Sequence, residues 1–148
     1  DAAYMVTVPF ICPDSEPLKK NPVFLYWSDN FQKPYPFDPQ IVIAIDDVLD
    51  QKYQGLDKLV SQFYEYGANG PGNPALFFSG DWNARLDFLK KRFEGRFKVR
   101  DSWRPILKEY YGEERGNQIQ YAEAFEICEY GSQPNPERIR ELFPFFSK

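Results

Sequence analysis

The sequence predicts an α/β domain, on two observations. The run Ile41 to Ile45 is apolar without alternation, and it passes directly into a helical pattern. A strand of that kind has both faces covered, as in a parallel or α/β sheet. The second observation is a later segment, QYAEAFEICEY (120–130), that alternates in part and reads as another strand. At 148 residues the chain suits one domain with a real core, or one portion of an α/β domain.

Taken in order, Asp1 to Val8 is ambiguous between a strand and the tail of a helix. Pro9, Pro13 and Pro22 make the next segment a loop. PVFLYW (22–27) reads as a short buried strand. Pro34, Pro36 and Pro39 exclude helix and central strand from the following stretch, which Phe31, Tyr35 and Phe37 would anchor. After the strand 41–45, apolar residues at Leu49, Tyr53, Leu56, Val60 and Phe63 step by four and three, an amphipathic helix ending near Gly67. ANGPGNP (68–74) is a loop by composition, and Leu76 to Phe78 is too short to assign.

A second helical pattern runs through Trp82, Leu86, Leu89, Phe93 and Phe97, with Asp81 as its cap. Pro105 suits the first turn of a third helix, capped by Asp101 or Ser102 and ended by Gly112 or Gly116. NPERIRELF (135–143) fits a terminal helix with Asn135 as N-cap and Pro136 at its first position.

Composition removes several functions. Net charge is −4 and the Lys and Arg residues are dispersed, which argues against a nucleic-acid partner. No apolar run is long enough for a membrane span. Histidine is absent, so Ser–His and Cys–His nucleophiles and His-ligated metals are excluded from this chain. Cys12 and Cys128 have no metal-ligand spacing and read as small buried hydrophobes. No cofactor, metal ligand or catalytic residue is therefore assigned within the chain.

The acidic pair Asp46 and Asp47 ends a strand, where open α/β sheets place ligands. Carboxylates just before a helical run also cap it, because they accept its unpaired N–H groups, and the cap is the favoured role here. Tyr26, Trp27 and Asp29, at the end of the first strand, combine aromatic faces with an acceptor and suit a sugar surface, or else ordinary core and a turn. On a strand Glu123 and Glu129 share one face, with Ala122, Ala124, Glu126 and Cys128 on the other. A carboxylate buried there needs a partner such as an arginine.

Three segments together carry a resemblance: PVFLYW, then PFDPQIVIAIDDVLDQKYQGLDKLVSQ, then YAEAFEICEYG. They resemble the C-terminal half of the PIG-L/LmbE-like N-deacetylases, with Asp47–Val48, Lys52, Leu56, Ser61–Gln62 and Ala122 to Phe125 as the matching positions. The resemblance covers roughly residues 1 to 131. It implies part of a Rossmann-like, LmbE-like three-layer fold that lacks its N-terminal half. It also implies a parent enzyme that uses zinc to remove N-acetyl groups from amino-sugar conjugates. Zinc ligands and base in that family come from His-Pro-Asp-Asp and His-x-x-His motifs, and neither is present here.

The expectation is thus a C-terminal portion, inactive alone, whose partners are the missing N-terminal segment and an amino-sugar substrate. Tyr26, Trp27, Asp29 and Glu123 are its candidate substrate contacts. On this reading DAAYMVTV is the tail of a helix, and a sheet cut in its middle exposes an edge that invites homo-oligomers. The alternative is a metal-free carbohydrate-binding or scaffold module. A third reading is half of a glycosyltransferase.

Overall fold

The computed structural model describes residues 2–30, 32–65 and 72–146. Phe31, the helix end near Gly67 and most of the 68–74 loop lie outside the described residues. The chain is mixed α/β, with a small sheet of three strands, β1 (Leu25–Trp27), β2 (Ile41–Ala44) and β3 (Ala122–Ile127), in the order β1-β3-β2. β1 runs antiparallel to β3, in the register Leu25–Ile127, Tyr26–Glu126 and Trp27–Phe125. Beside β2, the Gln40 N–H donates to the Phe125 carbonyl and the Ile45 N–H to the Tyr121 carbonyl, which also runs antiparallel.

The chain forms two compact units. The first comprises residues 1–43, 101–118 and 123–148, and the second residues 44–100 and 119–122.

The first unit includes a short helix, α1 (Ala2–Met5), which decides for helix over strand in this segment. The long loop after it is exposed, and Cys12 within it is a free, exposed thiol, unlike the buried Cys128. An isolated Cys among loop prolines has no packed element to bury it. Tyr35 is also exposed and anchors nothing.

Helix α5 (Arg104–Tyr111) carries Pro105 in its first turn and ends at Gly112, as its sequence predicts. A single 3-10 turn, Asp101–Trp103, leads into it, and neither Asp101 nor Ser102 supplies a side-chain cap. A short α6 (Glu113–Gln118) follows. The terminal α7 (Pro136–Leu142) is capped by Asn135, whose side-chain oxygen accepts from the Arg138 N–H at 2.8 Å. Aromatic packing holds this region. Tyr110 stacks on Phe146 with ring centroids 4.3 Å apart, and Tyr111 meets Phe146 edge-on.

The second unit is helical. Helix α2 (Leu49–Asp57) stops short of the predicted end, because Lys58 and Leu59 donate three residues back and tighten the last turn. A wider π turn, Ser61–Glu65, follows. Leu76 to Phe78 belong to α3 (Pro74–Phe78). Helix α4 (Trp82–Phe97) is capped by Asp81, which accepts from the Ala84 N–H. The predicted apolar stripes meet: Tyr53 and Phe63 pack with Leu89, Phe93 and Phe97 in one cluster, flanked by Leu49, Leu56, Val60 and Leu86.

Candidate functional site

Strand β1 lies at one edge of the sheet. Its side chains are not buried as expected: Tyr26 is 42% and Trp27 52% exposed, and β1 has a strand neighbour on one side alone among the described residues. The Ser28 N–H donates to the Ala124 carbonyl at 3.0 Å, so the register continues past the strand and brings Asp29 level with Glu123. Side chains alternate across a sheet. Trp27 therefore shares a face with Glu123, whereas Tyr26 shares the opposite face with Glu126. The four residues singled out by sequence fall on both faces of the β1–β3 pair.

Each is held differently. The Tyr26 hydroxyl donates to Glu129 Oε2 at 3.1 Å. Hydrogen bonding to the Cys128 thiol, then loss of water, then the Glu129 carboxylate keep this phenol protonated far above its ordinary range. Asp29 accepts from the N–H of its own neighbour, Asn30, at 2.6 Å. Among the described residues Glu126 forms no ion pair with an arginine. Its Oε2 accepts from the Asp38 N–H at 3.0 Å, while Gln40 Oε1 accepts from the Ile127 N–H at 2.8 Å. Together they fix the approach to β2 onto β3.

Asp46 and Asp47 are not side-chain caps. Residues 46–48 form a 3-10 turn, and neither that turn nor α2 has a side-chain cap. Asp46 Oδ1 accepts instead from the Gln120 N–H at 2.9 Å and from the Tyr121 N–H at 3.3 Å. The acid ties its helix entry to the segment that leads into β3. Two backbone donors at the start of a strand satisfy one carboxylate better than the 3-10 turn does.

Sequence reasoning misses a buried ionic group in the second unit. Asp57 is 3% exposed, and its Oδ1 accepts from the Tyr64 hydroxyl and from Arg85 Nε, both at 2.8 Å. The Arg85 guanidinium lies 5.7 Å from the ring centres of Phe77 and Trp82. Burial first, then the bond to Asp57, raises the Tyr64 phenol well above its ordinary value. The available signal was an aspartate on the apolar face of α2, four residues after Tyr53. Its partners are satisfied, so the group is structural in form.

A cleft of 560 Å³ opens in the first unit between residues 20–23 and 132–138. Its shape depends on a close approach of backbones. The Ser132 N–H donates to the Pro22 carbonyl at 2.9 Å, and a Cβ on Gly131 would sit 2.6 Å from that same carbonyl oxygen. The Ser132 hydroxyl also donates to the Asn21 carbonyl. Lys20 and Arg138 line this cleft with Asn21, Gln133 and Asn135, and no lining residue among those described is acidic.

No family model, curated protein or solved structure matches the chain.

Proposed function

We propose that this chain is the C-terminal portion of a zinc-dependent N-deacetylase of the PIG-L/LmbE type. In that role it adds an antiparallel portion to a Rossmann-like parent sheet and walls the cleft for an amino-sugar conjugate. One observation carries the reading. The three segments that bear the resemblance each contribute one strand to the same sheet, with the YAEAF segment at its centre.

The donor set does not fit zinc. Histidine is absent, and among the described residues no group of three or more Cys, Asp or Glu side chains is placed to hold a metal. No chemical step is therefore assigned to these residues. The metal ligands and the base belong, on this reading, to a histidine-bearing partner segment. The chain's own contribution is contact: Trp27 and Glu123 share one sheet face, and an exposed indole beside a carboxylate suits a sugar ring. The exposed Trp27 on that face also favours the second reading, a metal-free carbohydrate-binding module.

The experiment separates them. The chain is purified alone, and also co-expressed with the coding region that precedes it. Bound zinc and acetate release from N-acetylglucosamine conjugates are then measured. Zinc and turnover are expected only in the co-expressed form. Stoichiometric zinc with turnover by the chain alone would sink the proposal. Sugar binding by the chain alone, with no His-Pro-Asp-Asp or His-x-x-His motif in the preceding region, would establish the module instead.

A further inference from the structure

The cleft between residues 20–23 and 132–138 is independent of the deacetylase reading, and its walls define what it can hold. Its 560 Å³ falls within the range of small-molecule sites, roughly 300–1,000 Å³. The hydrogen-bond network fixes which polar atoms remain for a ligand. Gln133 Nε2 donates to the Cys128 and Gly131 carbonyls at 3.0 and 3.1 Å, which leaves Gln133 Oε1 as an acceptor. Asn135 spends its oxygen on the α7 cap, which leaves its amide hydrogens as donors. Arg138 gives one nitrogen to Glu141 at 2.6 Å and retains further donors. Lys20 makes no ion pair among the described residues.

The wall thus offers two cations and an amide donor to an anionic group, and an amide acceptor to a hydroxyl. We propose that this cleft binds a small hydroxylated oxyanion, a polyol or sugar that carries one phosphate or carboxylate. The charge is recognised by Lys20 and Arg138, and the hydroxylated body by Gln133. A neutral sugar lacks the first half of this match, and inorganic phosphate lacks the second.

The test is titration calorimetry on the whole chain with glucose 6-phosphate, gluconate, glucose and inorganic phosphate as probes. At least one of the two hydroxylated anions is expected to bind at least about tenfold more tightly than glucose or inorganic phosphate, and to weaken as salt rises. If only glucose 6-phosphate does so, the anion is a phosphate. If only gluconate does so, it is a carboxylate. Lys20→Glu and Arg138→Gln lie on exposed side chains whose loss leaves the fold intact, as circular dichroism would verify. Each is expected to weaken binding by roughly tenfold. The proposal is overturned if neither anion binds at millimolar concentration, if glucose or inorganic phosphate binds as tightly, or if both folded variants bind unchanged.

Discussion

Arg85 Nε lies 2.8 Å from Asp57 Oδ1, and the same oxygen accepts the Tyr64 hydroxyl, so one carboxylate oxygen joins two helices and the turn between them. A carboxylate at 3% exposure depends on these two donors, with Lys58 Nζ a more distant third partner at 3.9 Å from Oδ2. Tyr64→Phe should lower stability by about 1.5–3 kcal/mol, the range for a hydrogen bond to a charged group. Arg85→Met should shift the urea midpoint further. Adding Asp57→Asn to Arg85→Met should recover part of that loss, since the stranded charge goes with it. A double variant no better than Arg85→Met alone would contradict this account.

Tyr53 supplies a prediction in pH. It is fully buried, and its hydroxyl has no hydrogen-bond partner among the described residues. Burial, then the charge of Glu94, then Tyr121 push its phenol up to about 12 from an ordinary 10.0. The unfolded phenol ionises first, so the stability linked to this group is complete below pH 10 and is lost as pH rises toward 12. Tyr53→Phe should therefore flatten the alkaline limb of a stability–pH curve. At neutral pH the same variant should gain roughly 1 kcal/mol, because it removes a buried polar atom without a partner.

The acidic pair at the end of β2 should divide under mutation. Asp46 accepts two backbone N–H groups from Gln120 and Tyr121, 74 and 75 positions away. Asp46→Ala should cost roughly 1–2 kcal/mol in thermal or denaturant unfolding. Asp47 is exposed and makes no such bond, so Asp47→Ala should stay within about 0.5 kcal/mol of the parent. Equal losses would restore the capping role to both.

Helices α5 and α6 meet at a glycine. A Cβ on Gly116 would lie 2.7 Å from both the Cα and the backbone nitrogen of Lys108, and backbone cannot step aside as a flexible side chain can. Gly116→Ala should destabilise the chain by about 1–3 kcal/mol, the usual range for overpacking. It should also loosen the Arg104 Nη1 contact to the Gly116 carbonyl, now 2.7 Å, seen as faster amide exchange at the end of α6.

Features governed by neighbours in sequence were legible before the structure. Asp81 and Asn135 cap the helices they precede, Pro105 sits in a first turn, and the stripe from Tyr53 to Phe63 faces the core. Their causes operate within one or two helical turns. What failed was set by distant residues. PVFLYW looked buried because its composition is apolar, but burial of a strand depends on whether another element lies beside it. Asp46 looked like a cap because its competing donors are distant in sequence. Tyr26 and Trp27 are adjacent in sequence and for that reason lie on opposite faces, so a surface read from their adjacency could not have included both.

The strand order carries a consequence for how the chain is made. The central strand, β3, is the last of the three to leave a ribosome, and both edges depend on it for their hydrogen bonds. Until Ala122 to Ile127 emerge, Leu25–Trp27 and Ile41–Ala44 wait without the ladder that will hold them. The sheet therefore cannot close before its middle strand arrives, and residues 119–122, which complete the helical unit, arrive with it.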